Sequence, residues 1–585
     1  MTTPTPIRPV QWRDWGPEAF AEARAEDKPI LLSISAVWCH WCHVMDRTTY
    51  GNPEIAALIN ARYVPVRVDN DLRPDINERY NQGGWPSTAF LTPAGHVIHG
   101  GAYLPPEQML PVLNDLHDYY QSNRAEIERK TQALLAQEQS KRDGPGGSAL
   151  PENAADTVLE RMERQYDSRY GGFGFSTKFP HPEALDLLLA TFWQTHDPFW
   201  REMATRTLDG MTDRGMYDHV AGGFFRYSTD RAWQTPHFEK MSESNAGLLR
   251  ACLTAMTVFN APKYANVARD TLRYVFDTLA DPNGGIRGSQ DADEEYYRRD
   301  AAGRAAMDAP YVDPRVYTGW SAQMAASLLL ASVTLADDPR RDEYRATALA
   351  TIDRLLSEAQ DTDGGMFHMI APDGTRGEKG LLPDQVWMAH AALDAYAHTG
   401  DTRYREEARR IAAWMLRTLL AQTAFRDRPM DATAQGLLSE PVYNLADNGA
   451  AAALLLRLAW LTGEETYFQI TARVLAGFGE AYAAQGVFAA GYALAWVRAH
   501  SPPRHVVIVG PQDDPAVAAM RNAALASYHP WNVVEPLDPA HDAARITALG
   551  YPTEPIRTYP CVGNVCERPV ADAPALADTL QRMRP

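Results

Sequence analysis

The sequence after residue 150 is dominated by long helical segments of two alternating kinds. One kind is rich in Ala and Leu and apolar nearly all round, as is typical of a helix buried on every side: 183–194, 243–259, 319–335, 385–398, 445–461 and 488–499. The other kind keeps its apolar positions on one face: 152–166, 198–214, 262–280, 340–359, 402–421 and 464–484. This alternation predicts an all-α (α/α)6 toroid over residues 151–502, with six inner helices surrounded by six outer ones.

Four loops between an outer helix and the next inner helix share a short motif. Each has two glycines followed by an apolar residue: 171–173, 222–224, 284–286 and 364–366. Glycine pairs permit tight turns with positive φ, and the apolar residue anchors the turn. The alternative is that these loops are turns and nothing more. In either case all four are expected on one rim of the ring, where long loops on a rigid scaffold commonly carry a site.

The first 135 residues have a different order of elements. An apolar strand at 29–35 leads into Cys39-x-x-Cys42, which opens a helix. Further strands are predicted at 63–69, 87–92 and 96–99, with a closing helix at 105–122. The order β-α-β-α-β-β-α, with Cys-x-x-Cys at the first of these helices and Pro86 before the third strand, predicts an α/β thioredoxin-like domain.

The remaining segments complete a multidomain chain. Residues 136–150 are predicted to be a linker from their composition. Residues 503–585 contain strand, helix and strand patterns, which indicate a small α/β C-terminal region packed on the toroid. A second close pair of cysteines, Cys561 and Cys566, lies in that region, in a segment containing Gly563 and Asn564.

Composition excludes several classes of partner. The net charge of −18 argues against nucleic acid, because phosphate binding needs a basic surface. Residues 1–15 lack the apolar core of a signal peptide, and the most apolar stretch, 450–461, is short and interrupted by Arg457. We therefore expect no membrane partner and a cytoplasmic location. We also expect no cofactor, no bound metal ion, and a core position for Cys252.

The Cys-x-x-Cys pair has a clear chemical rationale. At a helix N-terminus the helix dipole and free N–H groups stabilise a thiolate and lower its pKa. Cys39 would then attack a disulfide, and Cys42 would resolve the mixed disulfide. Neighbouring aromatic and proline residues would shield the pair or offer backbone to a bound peptide, with Pro86 expected in the cis form: Trp38, Trp41, Trp85 and Pro86.

Three other interpretations of the pair remain open. Cys39-x-x-Cys42-His43 formally matches a c-type haem attachment site, although its context between a buried strand and a helix differs. Zinc bound by both cysteines and either His40 or His43 is compatible with ligand chemistry. The third interpretation is a vestigial pair with no remaining function.

A second group of candidate residues lies in the toroid. Histidines and carboxylates ringed by aromatic residues are what a sugar-handling pocket uses. The candidates for catalysis are His219, His237, Glu239, Asp291 and Asp293. The candidates for lining the pocket are Tyr217, Asp218, Phe224, Arg226 and Tyr227. The competing interpretation is that the Asp and His residues cap helices and satisfy loop backbone.

With these motifs in view, the sequence resembles a widespread family of thioredoxin-domain proteins. This family includes the spermatogenesis-associated thioredoxin-like protein of animals and its bacterial relatives. The resemblance covers essentially the whole chain. Its motifs here are Cys-His-Trp-Cys-His-Val-Met at 39–45, Val-Asp at 68–69, Arg-Pro-Asp at 73–75, Gly-Gly-Trp-Pro at 83–86, Tyr-Asp-His at 217–219, Gly-Gly-Phe at 222–224, Arg-Tyr-Ser at 226–228, Pro-His-Phe-Glu-Lys-Met at 236–241, Gln-Asp-Ala-Asp at 290–293 and Cys-x₄-Cys at 561–566.

The resemblance implies a toroid similar to those of six-hairpin glycosidases and N-acylglucosamine 2-epimerases. It implies a carbohydrate-related ancestry without an assigned reaction. The chain departs from the family pattern at two places on the rim. Glu243-Ser244-Asn245 replaces Tyr-Asp-Asn, and Trp320-Ser321-Ala322 replaces Trp-Asn-Gly.

Three hypotheses for function follow. The first is a thiol–disulfide redox protein whose toroid binds or presents an unknown protein client. The second is a carbohydrate epimerase, isomerase or hydrolase that acts on a sugar-like ligand in the toroid pocket, with the thioredoxin-like domain accessory. The third is a non-catalytic scaffold. A further hypothesis is that Cys561 and Cys566 exchange electrons with the first cysteine pair.

Overall fold

The structure is a computed structural model that describes residues 9–139, 144–147, 149–563 and 565–583. The chain separates into two compact units. The described part of the first unit is 9–139 together with two short segments from far along the sequence, 291–293 and 427–442. The second unit contains the other described residues from 144 to 583.

The first unit is built on a four-stranded sheet of order β2-β1-β3-β4. Its strands are β1 Ile30–Ser35, β2 Val64–Asp69, β3 Ser87–Leu91 and β4 Val97–Gly101. Strand β1 pairs in parallel with β2 and antiparallel with β3, and β3 pairs antiparallel with β4. The predicted thioredoxin-like fold is confirmed.

Helices cover both faces of this sheet. They are α1 Pro17–Glu26, α2 His40–Met45, α3 Pro53–Arg62, α4 Pro74–Tyr80, α5 Pro106–Ser122 and α6 Arg124–Gln139, and α2 runs directly into a π-helical turn, Asp46–Tyr50. Alternate residues of β1 belong to different apolar clusters: Leu32 packs with Phe20 of α1, whereas Leu31 packs with Ile59 of α3. Helix α6 extends to Gln139, so the first four residues of the expected linker are helical. Residues 140–143 and 148 of that linker lie outside the described residues.

The second unit is built on twelve long helices in the part of the chain that the structure describes. In chain order they alternate between outer and inner positions: α7 Ala154–Gln165, α8 Pro182–Thr195, α9 Pro198–Thr212, α10 Ser242–Phe259, α11 Pro262–Tyr274, α14 Thr318–Thr334, α15 Arg341–Arg354, α16 Leu382–Thr399, α17 Thr402–Thr418, α18 Leu445–Thr462, α19 Glu465–Gly477 and α20 Ala490–His500. Two short helices, α12 Glu294–Tyr297 and α13 Ala301–Ala305, lie in the loop before α14.

The inner helices close into a ring. Each packs on the next, in the order α8, α10, α14, α16, α18 and α20, and α20 packs back on α8. Each outer helix packs on an inner one, with α9 on α8, α11 on α10 and α7 on α20. The predicted (α/α)6 toroid is therefore confirmed. Small ladders occupy its long loops: β5 Tyr227–Ser228, β6 Pro236–His237, β7 Lys240–Met241, β8 Ser289–Gln290, β9 Val316–Tyr317 and β10 Met369–Ile370.

The Gly-Gly loops are attached to the inner helices by a repeated hydrogen-bond pattern. The apolar residue after the glycines exchanges backbone hydrogen bonds with a polar side chain of the next inner helix, as Phe224 does with Asn245. The same pattern joins Ile286 to Ser321 and Met366 to Gln385. Gly223 has φ 79°, and a Cβ there would lie 2.6 Å from the Tyr274 ring. The glycines thus serve close packing of loop on helix.

The C-terminal region forms a second small sheet of order β12-β11-β13-β14. Its strands are β11 Arg504–Val509, β12 Asn532–Leu537, β13 Arg557–Val562 and β14 Val565–Cys566, and its helices are α21 Pro515–Ala526, α22 Ala543–Ala548 and α23 Ala573–Arg582. Helices α14 and α16 of the ring contact α21. Among the described residues, every helix is too short or too polar to cross a bilayer.

Candidate functional sites

The Cys39–Cys42 pair lies at the start of helix α2, just after the end of strand β1. Cys39 is the N-cap of α2, and the backbone N–H of Cys42 donates to the Cys39 sulfur over 3.2 Å. The two cysteines form a disulfide in this structure, with their Cα atoms 5.3 Å apart. Cys39 is only 3% exposed and Cys42 only 2% exposed. A client disulfide can therefore reach Cys39 only after neighbouring groups move.

Aromatic residues surround the pair. Trp38 is buried, and its indole N–H donates to Asp71 over 2.6 Å. The Trp38 ring meets the Trp85 ring edge to face at 5.8 Å, and the Trp85–Pro86 peptide bond is cis. Trp41, in contrast, is 46% exposed and lies beside Tyr103. The Trp41 ring is thus accessible to a binding partner, whereas the buried Trp38 ring supports the structure around the cysteine pair.

A histidine and an aspartate meet next to the cysteine pair. His43 Nε2 lies 3.1 Å from the Val37 carbonyl oxygen and 3.3 Å from Asp291 Oδ2. The hydrogen bond that His43 donates to the Asp291 carboxylate raises the pKa of His43 above its usual value. From the sequence, Asp291 and Asp293 are predicted to lie in the toroid pocket. In the structure, both belong to the first unit. The reason is that segment 291–293, between β8 and α12, packs with the thioredoxin-like fold.

In the toroid, the structure brings some of the predicted residues together. His237 Nδ1 lies 2.7 Å from Glu239 Oε1. The Tyr227 ring stacks on the His237 ring at 5.0 Å, and the Phe179 ring also stacks on Tyr227, at 4.9 Å. The Arg226 guanidinium lies 5.6 Å from the Tyr227 ring. Glu239 is buried, and its Oε2 has no hydrogen-bond partner among the residues that the structure describes.

Other predicted pocket residues have structural positions instead. Tyr217 and Phe224 pack against each other in the helix core, and the Tyr217 hydroxyl donates to the Val267 carbonyl of α11. His219 is exposed at the surface, with Nε2 3.1 Å from the Arg214 carbonyl oxygen. Tyr217, Phe224 and His219 thus have contacts outside the His237–Glu239 pair, and a single pocket that contains all of the predicted side chains stays a prediction.

Asp218 is part of a buried ionic cluster beneath its Gly-Gly loop. Lys240 Nζ donates to Asp218 Oδ2 over 2.6 Å and to the Gly222 carbonyl over 2.8 Å. Arg304 adds a second contact to Asp218, at 2.7 Å. Burial alone would raise the pKa of Asp218, but the two cations outweigh burial and hold it at about 2. Asp218 thus stays ionised and fastens the loop.

The centre of the ring holds polar residues that are not among the candidate site residues predicted from the sequence. Glu183 and Glu243 lie in the first turns of inner helices α8 and α10, and both are exposed to solvent. Surrounding protein nevertheless desolvates them. Desolvation, together with the charge of Glu183, raises the pKa of Glu243 to about 7, and burial also raises the pKa of Glu183. The Gln323 side chain of α14 donates a hydrogen bond to Glu243.

Farther along the inner helices, ion pairs line the ring. Arg250 on α10 contacts Asp186 on α8 at 2.7 Å, and Arg457 on α18 contacts Asp394 on α16 at 2.6 Å. Arg250 and Asp394 also interact electrostatically, although α14 separates their two helices in the ring. An interaction of that kind passes through the middle of the ring. These side chains therefore face a common central space, which we call the lumen.

Comparisons with known proteins found a family model and several relatives that match parts of the chain. Residues 5–139 match the family model Thioredox_DsbH, described as "Protein of unknown function, DUF255". Spermatogenesis-associated protein 20 of Mus musculus is 37% identical over 311 residues, which is 49% of this chain and 39% of that protein. The aligned part of the chain is homologous to part of spermatogenesis-associated protein 20. The resemblance identified from the motifs is thereby confirmed, although the match spans well under half of that relative's length.

Other similarities cover parts of the chain. Thiol:disulfide interchange protein DsbD 1 of Pseudomonas aeruginosa is 33% identical over 99 residues, 15% of this chain and 17% of that protein. Among solved structures, a sugar epimerase from a ruminal bacterium is 12% identical with a TM-score of 0.45, covering 55% of this chain and 84% of that one. A cellobiose 2-epimerase from Spirochaeta thermophila is 16% identical with a TM-score of 0.44, covering 60% of this chain and 85% of that one. Scores of this size do not assign a reaction.

Proposed function

We propose that this protein carries out thiol–disulfide exchange at Cys39 and Cys42. The observation that carries the proposal is the hydrogen bond from the Cys42 backbone N–H to the Cys39 sulfur at the start of α2. A donor aimed at sulfur stabilises the thiolate more than the thiol, and this favours Cys39 as the nucleophile. The stretch His40–Tyr50 continues as helix behind it, with its positive end towards Cys39.

The exchange follows from the positions of the two sulfurs. In the reduced protein, the Cys39 thiolate attacks one sulfur of a client disulfide, and the other client sulfur leaves as a thiolate. The Cys42 thiolate then attacks the Cys39 sulfur of the mixed disulfide. The client leaves with both sulfurs reduced, and Cys39–Cys42 becomes the disulfide. Two electrons pass from this protein to the client.

His43 adds positive charge near the pair. Its contact with Asp291 raises its pKa, so a larger fraction of His43 is protonated near pH 7 than for a free histidine. A nearby cation favours thiolate over thiol. The client remains unidentified, and the cytoplasm remains the proposed location.

Trapping a mixed disulfide tests the proposal. The Cys42→Ser variant cannot resolve its intermediate, so reduced variant incubated with oxidised glutathione is expected to retain one glutathione on Cys39. The matched control is Cys39→Ser, whose remaining sulfur at Cys42 lies one helical turn in and should react more slowly. Intact-mass measurement and peptide mapping give the result. Absence of glutathione from Cys39 in folded Cys42→Ser protein would refute the proposal.

A second candidate function rests on the lumen. Burial raises the pKa of both Glu183 and Glu243, that of Glu243 to about 7, so Glu243 can exchange a proton near neutral pH. A pair of carboxyl groups with raised pKa values is an arrangement that general acid–base chemistry uses. Phe179, just before α8, is 41% exposed and continues the ring stack of Tyr227 and His237. Such a space suits a small sugar-like ligand, as an epimerase, isomerase or hydrolase would require.

Ligand-induced stabilisation tests this second candidate. A panel of monosaccharides and disaccharides is added to the protein and to a Glu183→Gln, Glu243→Gln variant, and thermal unfolding is followed. A ligand present at 100 times its Kd should stabilise the folded state by about 2.7 kcal/mol. The matched control is Glu294→Gln with Glu295→Gln, which alters exposed carboxylates on α12. A shift that survives the lumen variant, or no shift with any sugar, would contradict a lumen site.

A further inference from the structure

The C-terminal cysteines form a bridge whose two sulfurs differ in access. Cys561 of β13 and Cys566 of β14 are directly opposite in the antiparallel ladder and are joined by a disulfide. Cys561 is 5% exposed, whereas Cys566 is exposed on the two-residue edge strand. Val565, the other residue of this edge strand, is 77% exposed. An incoming reagent can therefore reach Cys566 but not Cys561.

A histidine and a glutamate lie behind the buried sulfur. His505 of β11 is directly opposite Cys561, so the two side chains share one face of the sheet, with Cβ atoms about 5 Å apart. His505 Nε2 lies 2.7 Å from Glu535 Oε2 on the neighbouring strand β12. Arg545 of α22 donates to Glu535 Oε1 over 2.8 Å. Cysteine, histidine and glutamate therefore follow one another across three adjacent strands.

The buried carboxylate is kept ionised by its partners. Burial would raise the pKa of Glu535, but hydrogen bonds from His505 and Arg545 outweigh burial and lower it. An ionised Glu535 accepts a hydrogen bond from His505 Nε2 and so orients the His505 ring, as the third group does in a nucleophile–histidine–carboxylate arrangement. The Tyr551 hydroxyl also approaches the Cys561 sulfur, at 3.7 Å. The Tyr551 hydroxyl is thus a hydrogen-bond partner of the Cys561 sulfur, and His505 lies beside Cys561 on the same face of the sheet.

We propose that the Cys561–Cys566 bridge is a second thiol–disulfide exchange site, in which a dithiol attacks Cys566 and Cys561 leaves as a thiolate stabilised by His505 and Tyr551. The register of the strands and the unequal exposure of the two cysteines carry this assignment. A stabilised leaving thiolate speeds exchange. The site therefore has a built-in direction, with one sulfur for attack and one for departure.

The electrons balance with a dithiol as the reductant. Its thiolate attacks the Cys566 sulfur, a new S–S bond forms, and the Cys561–Cys566 bond breaks to release the Cys561 thiolate. The second thiol of the reductant, as its thiolate, then attacks the reductant sulfur of the mixed disulfide. Cys566 leaves as a thiolate that takes a proton from solvent. The bridge gains two electrons, and the dithiol is oxidised to its disulfide.

Reduction kinetics provide the first test. A full-length Cys39→Ser, Cys42→Ser variant leaves Cys561–Cys566 as the reducible pair, and dithiothreitol is the probe. Iodoacetamide quenching and mass measurement follow the reduction. The rate should rise in proportion to dithiothreitol concentration, and adding His505→Gln should slow reduction about five-fold. The matched control, His541→Gln, alters a histidine whose side chain is 72% exposed and should leave the rate unchanged.

The direction of attack provides a second test that does not require His505 to be changed. Oxidised glutathione added to the reduced protein with Cys561→Ser should form a mixed disulfide at Cys566, whereas the Cys566→Ser variant should leave Cys561 unmodified under the same conditions. If His505→Gln does not fold, Tyr551→Phe replaces it and should also slow reduction. Equal rates for the variant and control, a rate independent of dithiothreitol, or preferential modification of Cys561 would each overturn the proposal.

Discussion

Asp218 and Glu243 show how the surroundings of an acidic side chain decide its charge. Asp218 is buried, but Lys240 and Arg304 hold its pKa at about 2. Glu243 is desolvated next to another carboxylate, with Gln323 as its hydrogen-bond donor, and its pKa rises to about 7. The first residue is therefore a fixed charge in the structure, whereas the second can exchange a proton near neutral pH.

The order of cysteine reactivity is the first prediction at this scale. In the reduced protein near neutral pH, iodoacetamide should modify Cys39 before Cys42, because the Cys42 N–H donates to the Cys39 sulfur. Peptide mapping of samples quenched at successive times measures the order. Cys252 is the internal control: it is buried, burial raises its pKa to about 12, and it should stay unmodified. Earlier modification of Cys42 would contradict the assignment of Cys39 as nucleophile.

The pH dependence of stability is the second prediction. The pKa of Glu243 is raised from 4.5 to about 7, so the folded state binds more protons than the unfolded state between these values. Its contribution to stability is present below about pH 4.5 and is lost as pH rises towards 7. Glu243→Gln should remove this loss and raise the free energy of unfolding at pH 8 by about 1 kcal/mol. This is less than the full pKa shift would give, because solvent screens the accessible carboxyl.

Thermal unfolding of wild type and Glu243→Gln at pH 5 and pH 8 measures the effect. The matched control is Glu295→Gln, which changes an exposed glutamate paired with Arg299. An identical pH dependence in wild type and Glu243→Gln would show that Glu243 ionises normally.

Sequence patterns found the cysteines but not the lumen carboxylates. Cys39 and Cys42 stand in a motif between a strand and a helix, and this local context is readable from the chain. Glu183 and Glu243 stand in segments dominated by Ala and Leu, which the sequence analysis interpreted as apolar all round. The signal was present, since each is the second residue of an inner helix. The position of the two glutamates at the centre of the ring depends on how the six inner helices assemble, and no local sequence pattern shows that assembly.

At the scale of elements, the helices were predictable and the role of their loops was not. The inner helix expected at 243–259 is Ser242–Phe259, and the outer helix expected at 262–280 is Pro262–Tyr274 followed by a π-helical turn, Val275–Leu279. The Gly-Gly loops were considered as rims of a site. Polar side chains instead hold these loops in place: Asp218 pairs with Lys240 of β7, and Asn245 of α10 accepts a hydrogen bond from the Phe224 backbone. Periodicity reveals burial, but not which polar residue satisfies which backbone group.

The repeated loop gives the third prediction, with its own control inside the chain. Lys240 and Lys379 both pair with aspartates beneath a Gly-Gly loop, but the Lys240 side chain is fully buried and that of Lys379 is 27% exposed. Lys240→Met leaves a buried carboxylate with one cation fewer and should destabilise the protein by about 3 kcal/mol. Lys379→Met should cost about 1 kcal/mol or less.

Thermal and urea unfolding of both variants measure the difference. Equal losses for the two substitutions would show that burial of the Lys240 pair contributes nothing to the attachment of its loop.

At the scale of the whole molecule, the sequence did not indicate which segments of the chain make up the first unit. Segment 427–442 belongs to this unit, although it follows 139 by almost three hundred residues in the numbering. Arg79 of α4 is nearly buried and contacts Asp427 at 2.7 Å, and its guanidinium also donates to the Glu440 carbonyl. Leu438 joins the apolar cluster of Phe20 and Tyr80. Such pairings are non-local, so neither composition nor periodicity indicates them.

Two cysteine pairs in one chain raise the question of exchange between them, which is the fourth prediction. Two variants are prepared, one with Cys561→Ser and Cys566→Ser and the other with Cys39→Ser and Cys42→Ser. The first is reduced and freed of reductant, and the second is oxidised. On mixing, electrons should pass from Cys39 and Cys42 of one molecule to Cys561–Cys566 of the other, because Cys566 is exposed and accepts attack by a thiolate. Mass measurement after alkylation should show equal gain and loss of disulfide in the two variants.

A Cys42→Ser change in the donor should trap a mixed disulfide between Cys39 and Cys566. If the acceptor bridge stays oxidised while dithiothreitol reduces it readily, the two sites serve separate partners and exchange between them is refuted.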